Sequence, residues 1–228
     1  IKEKRMEPNE NGFFGALNKM ANCLIVNACW FAACLPIFTI GASTAAMYAT
    51  IQRNILHDKG YPFPTFWKEF KRNFKSATII WLAVLAVSAI LIFDIRYFFQ
   101  RASEGHGWGL FYLLLAVVLV LLLLTTLYTM GYVAKFETTR WRAFRSSFII
   151  MLMHPFRNLL FLVLGAGMIL LISFQAWFLL FLPVFYMLSF VQFLEKAFYN
   201  LMTDEEKAKE DERNRDYASL EKKEQNEK

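Results

Sequence analysis

Three histidines, three cysteines and one short glycine–serine stretch have the side-chain types for chemistry, and their spacing withholds it. His57, His106 and His154 stand apart, with no Glu at metalloprotease spacing. Cys23, Cys29 and Cys34 lie in one apolar run at spacings of six and five. At about 100° per residue they scatter around a helix and no His joins them, so buried thiols are expected rather than a metal or redox centre. Gly41-Ala42-Ser43 has the wrong flanking glycines for a nucleophile elbow. No glycine-rich phosphate loop is present, so the chain is not expected to hydrolyse ATP. Asp94 could act as an ion or proton site at membrane depth, but its place near a span end, two residues from Arg96, predicts an interfacial pair. Asn22 and Asn27 are expected to form interhelical hydrogen bonds of about 0.6–2 kcal/mol each. No catalytic, cofactor-binding or metal-ligating residue is assigned, and no enzyme activity is expected.

The elements that would position these residues are set by an apolar composition. Hydrophobic residues make up 57% of the 228, with 24 Phe, while charged residues fall to 19%. The mean hydropathy is +0.34. Soluble domains run at roughly 45–50% apolar and about 25% charged. A chain of this size could not hide the excess from water, so a soluble enzyme or binding module is excluded.

Four uncharged runs carry that excess: residues 20–52, 76–93, 105–134 and 158–194. A span needs about twenty residues. The last run would reach roughly 55 Å as one helix, nearly twice the hydrocarbon core. It must fold back, and Ser173-Phe174-Gln175-Ala176 is its polar interruption, giving spans over 158–173 and 177–194. Spans are also expected over 108–131 and 76–99. Trp108, Tyr112, Tyr128 and Tyr132 serve as interfacial anchors of the former. The first run is broken by Pro36 and Gly41. It predicts a span over 21–40 followed by a helix over 42–56 near the cytoplasmic face; the alternative is two short half-spans around the break. If the break packs tightly, Gly41→Leu should disrupt folding or partner binding.

The net charge of +6 divides unevenly. From Thr203 onward ten acids face seven bases, and the preceding 202 residues hold eighteen bases and nine acids. The bases collect between apolar runs: Arg53, Lys59, Lys68, Lys71, Arg72 and Lys75 in one segment, Lys135, Arg140, Arg142, Arg145 and Arg157 in another. That distribution places both segments and the C-terminal tail in the cytoplasm. It argues against nucleic acid as a partner, since no nucleic-acid-binding signature accompanies it. Thr203-Asp204-Glu205-Glu206 reads as a capping box opening a solvated tail. The first twenty residues are polar, and no cleavable signal peptide is expected.

Two stretches are amphipathic. Phe63, Phe66, Trp67, Phe70 and Phe74 share one helical face, opposite Lys68, Lys71, Arg72 and Lys75. Trp141, Phe144, Phe148 and Leu152 repeat the pattern with Arg142 and Arg145. Both predict interfacial helices against anionic headgroups, serving as anchors or as docking surfaces. Each runs into a span through a Phe-basic pair, Phe74-Lys75 and Phe156-Arg157, which suggests two parallel copies offset by 82 residues. The fold expected is therefore an all-α polytopic membrane bundle of about five spans plus two interfacial helices. An N-terminal segment (1–20), a membrane domain (21–202) and a charged tail (203–228) divide the chain.

Residues 35–48, Leu-Pro-Ile-Phe-Thr-Ile-Gly-Ala-Ser-Thr-Ala-Ala-Met-Tyr, resemble the signature of the YesL-like integral membrane family. Its second block is similar to Gly60-Tyr61, Phe66 and Phe70-Lys71-Arg72-Asn73-Phe74-Lys75. The resemblance extends over roughly 12–200. It points to Pro36, Thr39, Gly41 and Ser43 as the motif around the helix break. It implies an accessory subunit of a carbohydrate ABC importer in Gram-positive bacteria, and no catalytic residues. A permease would carry a Glu-Ala-Ala loop for its ATPase, which is absent here, so an accessory that binds permease and ATPase subunits is expected rather than the pore. The alternative is a self-sufficient small-solute transporter or channel using the Pro36–Gly41 break.

Overall fold

The computed structural model describes residues 13–57, 61–104, 111–136 and 138–199, together with 207, 208 and 212. His106, Trp108, Lys59 and the capping box at Thr203 lie outside the described residues. Among the described residues seven α-helices make up the bundle: α1 (Phe13–Cys34), α2 (Ile40–Thr50), α3 (Pro62–Ser103), α4 (Phe111–Lys135), α5 (Arg140–Met153), α6 (Pro155–Phe174) and α7 (Leu182–Tyr199). The fold is an all-α membrane bundle. Among the described residues three helices, α3, α4 and α6, are long and apolar enough to cross a bilayer. α1 and α7, at the other two expected spans, fall short of that measure.

α1 ends at Cys34, short of residue 40, where the expected span was to end. Pro36 lacks an N–H and pushes Leu35 out of the helical region. A short 3-10 turn, Ile37–Thr39, follows. The Thr39 hydroxyl lies 2.6 Å from both Ala33 O and Pro36 O and ties the turn to the end of α1. α2 then runs back through the centre of the bundle, with nine of its eleven residues buried. Its composition explains this: eight of its eleven residues are Gly, Ala, Ser or Thr, which let neighbouring helices come close. The hydroxyls of Ser43, Thr44 and Thr50 donate to carbonyls four residues back and need no outside partner. A helix over 42–56 is thus present, but enclosed by its neighbours rather than lying on the bundle's surface. Its last turn, Ile51–Leu56, widens to a π-helix.

α3 corrects two expectations. The amphipathic stretch and the following span are one continuous 42-residue helix, about 63 Å long. Pro62 sits at its first turn, where the missing N–H costs nothing. Pro64 also lies in the first turn, and no proline or glycine follows it before Ser103, so nothing breaks the helix at Ser76. The second amphipathic stretch does end, because His154-Pro155 separates α5 from α6. The two expected copies therefore differ at the join that was to define them.

The fold-back at the end of the chain is where the polar interruption placed it. α6 ends at Phe174, a 3-10 turn covers Ala176–Leu180, and α7 begins at Leu182. Asn27 of α1 donates to Leu179 O (3.1 Å) and Leu180 O (2.7 Å) of that turn, the interhelical bond its position suggested. Asp94 and Arg96 form no ion pair with each other. Two residues apart on a helix, they point to different sides.

Candidate functional site

Among the described residues two carboxylates, one buried and one partly buried, gather polar partners. Glu69 of α3 is fully buried. Arg53, on the π-helical turn and 1% exposed, donates from Nη1 to Glu69 Oε1. Arg72, one turn along α3, places Nη2 2.5 Å from Glu69 Oε2 and 2.7 Å from Ala134 O of α4. Asn73 donates to Glu69 O at 3.1 Å and to Oε2 at 3.3 Å.

The second carboxylate is Glu195 of α7. Lys135 at the end of α4 donates to its Oε2 at 2.6 Å, and Gln52 to the same oxygen at 3.3 Å. The Tyr48 hydroxyl donates to Oε1 at 2.7 Å. The Lys135 ammonium also stands 5.8 Å from the centre of the Phe198 ring.

Neighbouring residues serve different carboxylates. Gln52 reaches Glu195 while Arg53 reaches Glu69; Ala134 accepts from Arg72 while Lys135 reaches Glu195. The π-helical turn makes this possible, since Ile51 to Ile55 are five consecutive buried residues aimed all around the turn. π-turns inside helices are common at functional sites. Gly131 admits the Tyr48 ring: a Cβ there would meet Leu194 Cδ2 at 2.5 Å and Tyr48 Cε2 at 3.0 Å. Each charge is expensive to bury alone and is compensated here by an opposite charge and hydrogen bonds. The arrangement clamps α2, α3, α4 and α7 to one another.

Residues 23–95 match DUF624, a family described as a protein of unknown function. It is the YesL-like family of the sequence signature, matched over a shorter stretch than 12–200. The match takes in α2, the π-helical turn and the Arg53–Glu69–Asn73 half of the site, and stops before Lys135 and Glu195. No curated protein and no solved structure matches the chain.

The candidate docking residues divide. Phe66 and Asn73 are buried in the bundle, so they cannot face a partner. Phe70 is half-buried in an edge-to-face series running from Phe66 through Trp67 to Phe74. Arg72 is taken up by Glu69 and Ala134. Lys71, Phe74, Lys75, Arg142 and Arg145 remain exposed. Of the helix-break motif, Thr39, Gly41 and Ser43 are buried and Pro36 is exposed. Sequence reasoning missed these three ion pairs, having counted Arg53, Arg72 and Lys135 as loop charges. Among the described residues no group of three or more His, Cys, Asp or Glu could hold a metal ion.

Tyr48→Phe tests the Glu195 half at small cost, because the ring stays and only the donor is lost. A hydrogen bond to a charged group contributes about 1.5–3 kcal/mol. Glu195 keeps Lys135 and Gln52, so the expected loss is about 1.5 kcal/mol, read as a melting shift of roughly 3–6 °C in detergent. An unchanged melting point would show that Tyr48 does not hold Glu195.

Proposed function

We propose that this chain is an integral membrane accessory or assembly subunit of a bacterial carbohydrate ABC importer, without catalytic activity of its own. It sits in the cell membrane with its basic segments and C-terminal tail toward the cytoplasm. The observation that carries the reading is α6. Only Asn158 and Phe161 of its twenty residues are buried. Most of the other residues of the helix are exposed among the described residues, and its middle is Gly165-Ala166-Gly167. A Cβ at Gly167 would meet no atom within 4 Å. Small residues on an uncovered membrane helix let a neighbouring helix come close, which is how membrane subunits associate laterally. The link to carbohydrate uptake rests on the YesL-like resemblance.

Affinity purification in detergent from a host grown on plant or host glycans should recover permease and ATPase subunits with this chain. Gly167→Leu should leave its melting point unchanged and lose those subunits. Recovery of neither subunit with the unaltered chain would overturn the reading. Solute flux into liposomes holding this chain alone would replace it with the transporter alternative.

A further inference from the structure

A cleft of about 440 Å³ opens between α3, α4 and α5. Its wall is aliphatic, formed by residues such as Ile80, Val84 and Val87 of α3 and Leu122 of α4. Arg140 and Trp141, from the first turn of α5, complete the lining. Two features together describe a ligand. The wall belongs to the two long apolar helices that cross the bilayer, so its occupant is hydrocarbon. The edge carries a cation: Arg140 is exposed and makes no hydrogen bond or ion pair among the described residues.

Nothing nearby on α5 neutralises that charge. The helix carries Arg140, Arg142 and Arg145 and no acid. Its N-cap, Thr139, makes no side-chain capping bond, which leaves the positive end of the helix open on the same side. Trp141 is 74% exposed, a ring suited to headgroup depth. An arginine next to membrane hydrocarbon is costly unless an anion meets it. We infer that this cleft binds one anionic phospholipid from the surrounding bilayer, with an acyl chain along the Val84–Leu122 wall and the phosphate on Arg140. A zwitterionic lipid would bring its ammonium toward three arginines and bind less well.

The test is native mass spectrometry of the full chain, purified in detergent and offered phosphatidylglycerol or phosphatidylcholine. One phosphatidylglycerol should be retained per chain, and phosphatidylcholine should not compete at equal concentration. Arg140→Gln, at an exposed position, should weaken retention by roughly tenfold, as expected for one charge-assisted contact. Val87→Trp should fill the cleft and abolish retention. A melting curve on each variant separates lost lipid from lost fold. Equal retention of both lipids, or retention indifferent to both substitutions, overturns the proposal. If Val87→Trp instead releases a co-purified membrane protein while lipid counts stay constant, a partner helix fills the cleft. The inference holds or falls independently of any importer partner.

Discussion

Glu69→Ala should leave little folded protein in the membrane fraction. The substitution removes a buried acceptor of Arg53, whose side chain is 1% exposed. Breaking a buried pair from one side costs about 3–5 kcal/mol, because an uncompensated charge remains. That is a large part of a total stability of about 5–15 kcal/mol. Arg72 would lose one partner but keep Ala134 O, and at 28% exposure it can turn toward solvent. The guanidinium that loses its buried counter-charge is therefore that of Arg53. Removing both charges should undo the damage, since apolar residues of similar volume often replace a buried pair without loss. Arg53→Met with Glu69→Met should recover most of the monodisperse peak on size-exclusion chromatography. Glu69→Ala behaving like the unaltered chain would mean that the pair does not hold α2 to α3.

Gly41→Leu should be as damaging, for a steric reason. A Cβ on Gly41 would lie 2.6 Å from Trp81 Cβ and 2.9 Å from Ala77 O. Both atoms belong to the frame of α3 and cannot swing aside. The same contact is fixed from the other side by the Trp81 indole N–H, which donates to Ile37 O at 2.8 Å. Even Gly41→Ala forces the two helices apart, and overpacking of this kind costs about 1–3 kcal/mol. In detergent that corresponds to a melting shift of roughly 3–10 °C for Gly41→Ala. Gly41→Leu adds three more carbons and should not accumulate. Normal expression of the leucine variant would show that α2 and α3 do not approach as described.

Periodicity and breakers made most of the helices legible. The Pro36–Gly41 break marked the turn between α1 and α2 and the Ser173–Ala176 interruption marked the fold-back, while the end of α5 at His154-Pro155 was not anticipated. The faces were harder. The aromatic stripe at 63, 66, 67, 70 and 74 is conspicuous, yet the buried stripe runs Pro62, Phe66, Glu69, Asn73, Ala77, Ile80, Val84, Ser88. The two are offset by about one residue. In a membrane protein large apolar side chains can face lipid, while the interior collects small and polar groups. Glu69 could have been found on that basis, as the lone acid among basic residues with Arg72 and Asn73 three and four positions on. The Lys135–Glu195 pair could not, because its partners are sixty residues apart and only the packing of α4 on α7 brings them together.

The length of α3 has a mechanical consequence. A helix with no proline, glycine or bulge beyond its first turn has no built-in hinge. Trp81, pinned against Gly41 and Ile37, lies close to its midpoint and acts as a fulcrum, with an arm of about 30 Å on either side. A substitution that displaces Trp81 is therefore expected to shift both arms of α3 together rather than one half alone.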